Sequence, residues 1–214
     1  NLLAQRKLSS VELLDCYAAR IERLNPAVNS VVTLDLERAY TEARLADAEV
    51  KLGRHTRPLA GIPITVKDAL AVQGMRSTGG AVEHRDHVPT QDADVVALAR
   101  RAGAIPFAKT NVPRWSGDIQ TFNEMFGTTN NPWDHTRTPG GSSGGAATSV
   151  AMGFTGFEIG TDIGGSIRFP SAFCGVVGHK PSYGLVPCGG YIDRIDYGFR
   201  SEEHTSELQS RETI

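Results

Sequence analysis

Residues 160–184 read GTDIGGSIRFPSAFCGVVGHKPSYG, a short apolar segment that runs into two glycines and a serine. Such a turn can direct successive backbone N–H groups into one concavity while it exposes the oxygen of Ser166. These N–H groups could stabilise the oxyanion that forms when Ser166 attacks a carbonyl. The candidate donors are Ile163, Gly164, Gly165 and Ser166. Taken alone, the segment is more typical of a glycine turn with a serine helix cap.

Residues 140–145 read GGSSGG and contribute Ser142 and Ser143. Glycines on both sides let the backbone approach another loop closely. Alone, this segment is also compatible with a flexible tether, a phosphate-binding loop or a G-x-S-x-G nucleophile elbow. No GK[ST] completes a P-loop, and the preceding NPWDHTRTP is not the buried strand that an elbow follows. The P-loop and the elbow are therefore both disfavoured.

Residues 61–68 read GIPITVKD, in which Ile62, Ile64 and Val66 alternate with other residues. This period predicts a short strand with Thr65 and Lys67 on the face opposite the aliphatic one. A lysine next to an aspartate is usually part of an exposed ion pair. At the end of a buried strand, however, burial disfavours the ammonium, so that the neutral amine can act as a base.

Several segments resemble, in order and spacing, the amidase signature family of Ser-Ser-Lys hydrolases, from about Ser9 to Gly190. They are GIPITVKD, KTNVP, FGTTNNPWD, RTPGGSSGG and the stretch quoted first. The resemblance implies that Ser166 is the acylated nucleophile, Ser142 a bridging serine in a cis peptide, and Lys67 the base. It places the oxyanion hole at the four donors named above. Loop support is implied for Ser143, Asp162 and Arg168.

The loop after KTNVP lies where this family often lines its acyl pocket. The candidate substrate contacts are Trp115, Ser116 and Asp118, and the wall could extend over Gln120, Thr121, Phe122 and Asn123. We expect no metal site, because no ligand spacing such as HxxxH relates the histidines, and the implied chemistry needs no cofactor. The histidines considered are His84, His87, His135 and His179.

Cys16, Cys174 and Cys188 are scattered and form no CxxC pair. Buried free thiols are therefore expected rather than a disulfide framework, which favours a reducing, cytoplasmic compartment. Cys174 is expected to be a core thiol rather than a reactive one. No apolar run approaches the length of a membrane span.

A first helix is predicted after Ser9, which forms a capping box with Glu12. A second helix is predicted over residues 36–52, with Asp35 as its cap. A strand, a helix over residues 92–102 and a strand over residues 104–108 predict a parallel pair. A helix over residues 146–152 and a strand over residues 157–160 follow. The fold class is therefore α/β. The resemblance implies an amidase-signature fold, a mixed sheet flanked by helices, truncated on its C-terminal side.

Two segments are distinguished: residues 1–199, a partial amidase signature domain, and residues 200–214. Residues 200–210 read RSEEHTSELQS, which matches the frame translation of a common sequencing adapter. We therefore expect residues 200–214 not to be native and to take no part in the fold. Family chains are considerably longer, so this fragment alone is expected to be poorly stable or inactive.

The expected function is hydrolysis of a carboxylic amide to an acid and ammonia or an amine. An alternative is the glutaminase (A-type) subunit of a tRNA-dependent amidotransferase, which passes ammonia to a partner protein. TDIGGSIRFP favours the free-standing enzyme over the amidotransferase form, typically DTGGSIRQP. A more remote alternative is a non-catalytic module that binds phosphate through its glycine loops.

The expected partner is a small-molecule amide, and the candidate assembly is a homodimer. The formal net charge of −2 at pH 7 gives no support for a nucleic-acid or membrane-surface partner.

Overall fold

The computed structural model describes residues 2, 3, 5–54, 56–191 and 205–209. The helices in these ranges are α1 (Ser10–Val28), α2 (Leu36–Lys51), α3 (Asp94–Arg101), α4 (Gly144–Ala151) and α5 (Arg168–Cys174). The strands are β1 (Val31–Leu34), β2 (Pro63–Lys67), β3 (Ile105–Thr110), β4 (Phe122–Asn123), β5 (Gly127–Thr128), β6 (Phe157–Thr161), β7 (Val177–His179) and β8 (Thr205–Gln209).

The main sheet is mixed, with strand order β1-β3-β2-β6-β8-β7, while β4 and β5 pair separately. β2 is parallel to both β3 and β6, which confirms the predicted parallel pair and the α/β class. β1, β7 and β8 add antiparallel pairings. Because the carboxyl ends of parallel strands meet at one edge of a sheet, Lys67 lies beside the loop that follows β6.

Local capping signals explain where the first two helices begin. The Ser9 hydroxyl accepts a hydrogen bond from the backbone N–H of Glu12, at 3.1 Å, and the Glu12 carboxylate accepts one from the Ser9 N–H, at 2.8 Å. The Asp35 carboxylate accepts from the N–H of Arg38 at the start of α2. Ser166 differs from expectation, because α5 begins two residues after it, at Arg168.

The two faces of β2 have different chemistry. Ile64 and Val66 are fully buried and belong to an apolar cluster that also contains Val96 of α3. Lys67 points to the opposite side, where its ammonium nitrogen contacts Ser142, two residues before α4. The predicted division of β2 into an aliphatic face and a face that carries Lys67 is therefore confirmed.

The segment that we expected to lie outside the fold contains β8. This strand lies between β6 and β7 and is antiparallel to both. The expectation that residues 200–214 take no part in the sheet is therefore wrong for residues 205–209. Strand pairing uses backbone N–H and C=O groups, so that the open edge of β6 can accept a segment of any origin. The adapter origin of residues 200–214 stays a prediction.

All three cysteines are free thiols. Cys174 is buried, as predicted, whereas Cys16 is exposed and Cys188 is half-buried. Burial raises the pKa of the Cys174 thiol to about 12, against the opposing effect of a hydrogen bond with Thr148. Cys174 is therefore protonated at neutral pH and acts as part of the core. Within the described ranges, no helix combines the length and hydropathy needed to cross a bilayer.

Candidate active site

Lys67 occupies the centre of the site, at the carboxyl end of β2. Its side chain is 0% exposed. The ammonium nitrogen Nζ donates hydrogen bonds to Oγ of Ser142 and to Oγ1 of Thr161, each at 2.6 Å. Thr161 ends β6, the strand next to β2, and was not among the site residues expected from the sequence. A buried amine held between two hydroxyls is suited to exchanging a proton with either of them.

Ser142 is also buried, with 1% of its surface exposed. The Gly141–Ser142 peptide bond is cis, as the resemblance implies. The glycines on either side are required by close backbone contacts. A Cβ on Gly141 would lie 2.7 Å from the carbonyl oxygen of Asp118, and one on Gly145 would lie 2.4 Å from the backbone nitrogen of Asn111. The GGSSGG segment is thus packed between neighbouring loops and is not a flexible tether.

Ser143 connects the two serine loops. Its backbone N–H donates to the carbonyl oxygen of Ser166 at 3.0 Å. Its hydroxyl donates to the carbonyl oxygen of Thr161 at 3.2 Å. These contacts are those expected of a residue that supports the loops, and they hold Ser142 and Ser166 in a common framework.

Asp162 organises the turn that carries Ser166. Its carboxylate accepts backbone hydrogen bonds from Gly165, Ile167 and Arg168 at 2.7, 3.1 and 3.2 Å. The Arg168 guanidinium adds two more, at 3.0 and 2.9 Å. Burial alone would raise the pKa of Asp162, but the hydrogen bonds from Arg168 and from the backbone outweigh it and lower the pKa to about 2. Asp162 is therefore ionised at neutral pH and braces the turn.

The predicted oxyanion hole is only partly available. The N–H of Gly165 is engaged by Asp162, so that this residue is better assigned to bracing the turn than to binding an oxyanion. The N–H groups of Ile163, Gly164 and Ser166 have no protein acceptor within the described part of the chain. Three of the four expected donors thus stay available for a ligand oxygen.

A cleft of about 460 Å³ opens at this point of the molecule. Ser142 and Ser166 both line it, and Ile163 and Gly164 form part of the same wall. No hydrogen bond joins the Ser142 and Ser166 hydroxyls among the described contacts. Catalytic hydrogen bonds are often long without substrate and tighten when it binds. The cleft therefore brings the candidate nucleophile, bridging serine and oxyanion donors together.

The expected substrate contacts divide into two groups. Ser116 and Asp118 line the cleft, together with Ile119, Phe169 and Tyr191, which were not expected there from the sequence. Trp115 is absent from the lining and packs edge-on against His84, with ring centroids 4.9 Å apart.

The proposed extension of the wall is not part of this cleft. Thr121 instead accepts a hydrogen bond from the N–H of Gly144, at 3.1 Å, and donates one to the carbonyl of Gly140, at 2.9 Å. It thereby holds the GGSSGG loop. Phe122 and Asn123 line a neighbouring cleft, and Gln120 lines neither. Among the described residues, no three His, Cys, Asp or Glu side chains are grouped so that they could hold a metal ion.

Replacing Asp162 by asparagine is expected to lower the free energy of unfolding by about 2–4 kcal/mol, because five hydrogen bonds lose a charged acceptor. The depressed pKa means that the wild-type contribution is complete above the ordinary value of 3.8 and is lost as the pH falls through about 2. Urea unfolding at pH 7 and at pH 2 tests both points. The difference between wild type and variant should shrink at the lower pH, and an equal difference at both values would contradict this assignment.

Gly165 and Gly164 form a matched pair for testing the turn. Gly165 has φ +120, and a Cβ there would lie 2.4 Å from a ring carbon of Phe169, whereas a Cβ on Gly164 would meet nothing within 4 Å. We therefore expect Gly165→Ala to destabilise the protein by about 1–3 kcal/mol. Gly164→Ala should cost less than about 1 kcal/mol. Chemical denaturation of the two variants side by side measures the difference, and equal losses would show that the turn is not strained at Gly165.

Relatives in sequence cover nearly all of this chain. It is 43% identical over 192 residues to the A-type subunit of the glutamyl-tRNA(Gln) amidotransferase of Heliobacterium modesticaldum, a match that covers 90% of this chain and 39% of that protein. The corresponding protein of Dehalococcoides mccartyi is 44% identical with the same coverage. The chain therefore spans about two fifths of the length of these relatives.

Solved structures show the same similarity. A structure described as a crystal structure of amidase superposes with a TM-score of 0.87 at 37% identity, covering 98% of this chain and 47% of that one. The native peptide amidase from Stenotrophomonas maltophilia gives a TM-score of 0.85 at 35% identity, over 89% of this chain and 40% of that one. The Amidase family model matches residues 12–205. This match, together with the fold that the chain shares with the solved amidases, shows that the chain belongs to the amidase signature family.

Proposed function

We propose that the protein to which this chain belongs hydrolyses carboxamides through an acyl-enzyme on Ser166. The observation that carries the proposal is the buried Lys67, hydrogen-bonded to Ser142 at the wall of the cleft that Ser166 also lines. A nucleophilic serine needs a base within reach. Here a lysine connected through a second serine takes the place that histidine has in other serine hydrolases.

In the first half of the reaction, neutral Lys67 accepts the proton of Ser142 while Ser142 accepts that of Ser166. The Ser166 oxygen then attacks the amide carbonyl. The N–H groups of Ile163, Gly164 and Ser166 stabilise the oxyanion, which is generally the largest electrostatic contribution in acyl transfer. The Lys67 ammonium returns a proton through Ser142 to the leaving nitrogen, so that ammonia or an amine departs and the acyl group stays on Ser166.

In the second half, water takes the position of the leaving group. The same serine–lysine chain removes a proton from this water, which attacks the acyl-enzyme. The Lys67 ammonium then returns that proton through Ser142 to the Ser166 oxygen as the bond to the acyl group breaks and the acid leaves. The N–H groups that stabilised the first oxyanion stabilise the second. Neither step requires a metal ion or an organic cofactor. The acyl group would lie against residues that line the cleft, among them Ser116, Asp118, Ile119 and Phe169.

The relatives help to decide whether this chemistry serves a free-standing amidase or an amidotransferase subunit. Both curated relatives named above are amidotransferase subunits of the A type, which favours the glutaminase alternative over the free-standing amidase that TDIGGSIRFP suggested. In that setting the substrate is glutamine and the ammonia passes to a partner protein. The likeness to solved amidases keeps the free-standing setting as the second candidate. A cytoplasmic location is part of either proposal and is supported by the free thiols.

The test uses the natural gene, completed past Phe199 without the adapter-like residues. Ammonia release is measured with glutamine and with simple aliphatic and aromatic amides, with hydroxylamine added to intercept an acyl-enzyme as the hydroxamate. The proposal predicts turnover and hydroxamate formation that both disappear in Ser166→Ala. Turnover of glutamine alone, with co-purification of a partner protein, supports the amidotransferase setting. Activity retained in Ser166→Ala would contradict the proposal.

A further inference from the structure

A second ionisable group lies on the same face of the sheet as Lys67, and the chemistry above does not use it. Glu158 of β6 is paired in register with Thr65 of β2. Because side chains alternate along a strand, Thr65 and Lys67 share one face, and Glu158 lies beside them on the adjacent strand. Its side chain is 0% exposed.

The surroundings of Glu158 favour a neutral carboxylic acid. Oε1 accepts one hydrogen bond, from the Thr110 hydroxyl at 2.7 Å. Oε2 is buried and has no hydrogen-bond partner among the described residues. No ion pair within the described part of the chain includes Glu158. An ionised carboxylate with a single hydrogen-bond donor and no ion-pair partner would be costly in this environment.

Burial raises the pKa of Glu158 to about 8, against the lowering effects of the Thr110 hydrogen bond and of the charges on Lys109 and Lys67. Glu158 therefore keeps its proton at neutral pH and loses it in mildly alkaline solution. Thr110 and Lys109 belong to β3, and Lys67 belongs to β2. α4, which packs against these strands, contains no ionisable residue.

The other buried charges near this sheet are engaged elsewhere. Asp68 lies 4.0 Å from Lys109, and its carboxylate accepts hydrogen bonds from the N–H and hydroxyl of Thr78. Asp162 is paired with Arg168. The ionisation of Glu158, in contrast, is coupled to Lys67 as well as to Lys109.

We propose that Glu158 is a positioning residue that sets the pH at which Lys67 becomes available as a base. This inference rests on the proposed function of Lys67. While Glu158 is neutral, it adds no charge that would favour the Lys67 ammonium. When Glu158 ionises, the nearby carboxylate favours the ammonium, which is the form that cannot accept the serine proton.

Lys67 and Glu158 must then titrate as coupled groups, and Lys109, whose pKa burial lowers to about 8 and whose charge also acts on Glu158, is a third member of the set. When Lys67 and Glu158 have together lost one proton, two forms are in equilibrium. In one, Lys67 is a neutral amine and Glu158 a neutral acid; in the other, Lys67 is an ammonium and Glu158 a carboxylate. Only the first form is active. The activity of the wild-type enzyme should therefore rise over a broad pH range. It should reach its maximum only when both Lys67 and Glu158 have lost their protons. Glu158→Gln keeps the shape of the side chain but cannot ionise, so it removes the inactive form.

The acidic limb of the profile of kcat/KM against pH is measured in the completed protein for wild type and Glu158→Gln. The variant should reach half of its maximum about one pH unit lower, along the steeper curve of a single ionisation. Thr110→Val is a second variant, because loss of its donor disfavours the carboxylate. It should move the midpoint in the same direction by a smaller amount. Asp134→Asn is the control, because the ionisation of this surface acid depends on Thr136 and Arg137 and not on Lys67, Lys109 or Glu158, and it should leave the midpoint in place.

An infrared difference spectrum gives a readout that does not depend on turnover. Wild type should show the carbonyl band of a protonated carboxylic acid at neutral pH, which Glu158→Gln lacks and which disappears in wild type as the pH rises through about 8. Absence of this band, or active variants with an unmoved midpoint, would overturn the inference and leave the proposed function intact. Turnover that persists in Lys67→Met would instead contradict the proposed function.

Discussion

Replacing Ser166 by alanine in the completed protein is expected to reduce kcat/KM for amide hydrolysis by at least about 10⁴-fold. The variant has no oxygen with which to form the acyl-enzyme, whereas the oxyanion donors and the cleft stay in place. The loss should therefore appear in kcat, with KM changed little. Steady-state kinetics and hydroxamate trapping measure the two consequences.

The control for this prediction is Ser143→Ala. Ser143 follows Ser142 in the chain, but its hydroxyl donates a hydrogen bond to the carbonyl of Thr161, whereas Lys67 bonds to Ser142. Its removal should weaken the connection between the loops and lower activity only modestly, by about tenfold or less. If Ser143→Ala were the inactive variant and Ser166→Ala the active one, the nucleophile-elbow alternative would replace the present assignment.

Replacing Lys67 is expected to have an effect of similar size, about 10³–10⁴-fold in kcat/KM, because the general base and acid are the same group. Lys67→Met removes the amine, and Lys67→Arg keeps a permanent positive charge that cannot accept a proton. If Lys67 acts as a base, both variants should be inactive in steady-state assays. Near-ultraviolet circular dichroism should show that each remains folded.

The arginine variant is the informative control, since a purely electrostatic role would tolerate it. A lysine that merely stabilised negative charge at the cleft could be replaced by arginine with most of the activity retained. Substantial activity in Lys67→Arg would therefore remove Lys67 from the proton-transfer path, even if Lys67→Met were inactive.

Local features of the sequence were sufficient to predict much of the fold. The capping box of Ser9 and Glu12 and the Asp35 cap are short-range signals, and both helices begin where these residues place them. The alternation in GIPITVKD likewise assigned the faces of β2. β1 was not predicted, because its four residues carry no periodic pattern of their own and pair with β3 at long range.

The site could be predicted only as far as its motifs extend. Ser142, Ser166 and Lys67 stand in recognisable segments, and the structure brings Lys67 to Ser142 and both serines to one cleft. Thr161 and Glu158 lie in FEIGT, where nothing in the local pattern shows that a hydroxyl will contact Lys67 or that a glutamate will be buried. Such roles depend on which strands become neighbours.

In the proposed mechanism, Ser166 is the nucleophile and depends on Lys67 for its reactivity. The most direct test is reaction of the folded, completed protein with a fluorophosphonate, followed by mass spectrometry of the labelled peptide. We predict a single label on Ser166, formed in wild type and abolished in Lys67→Met. A label on Ser143, or no label on a protein shown to be folded, would contradict the Ser-Ser-Lys assignment.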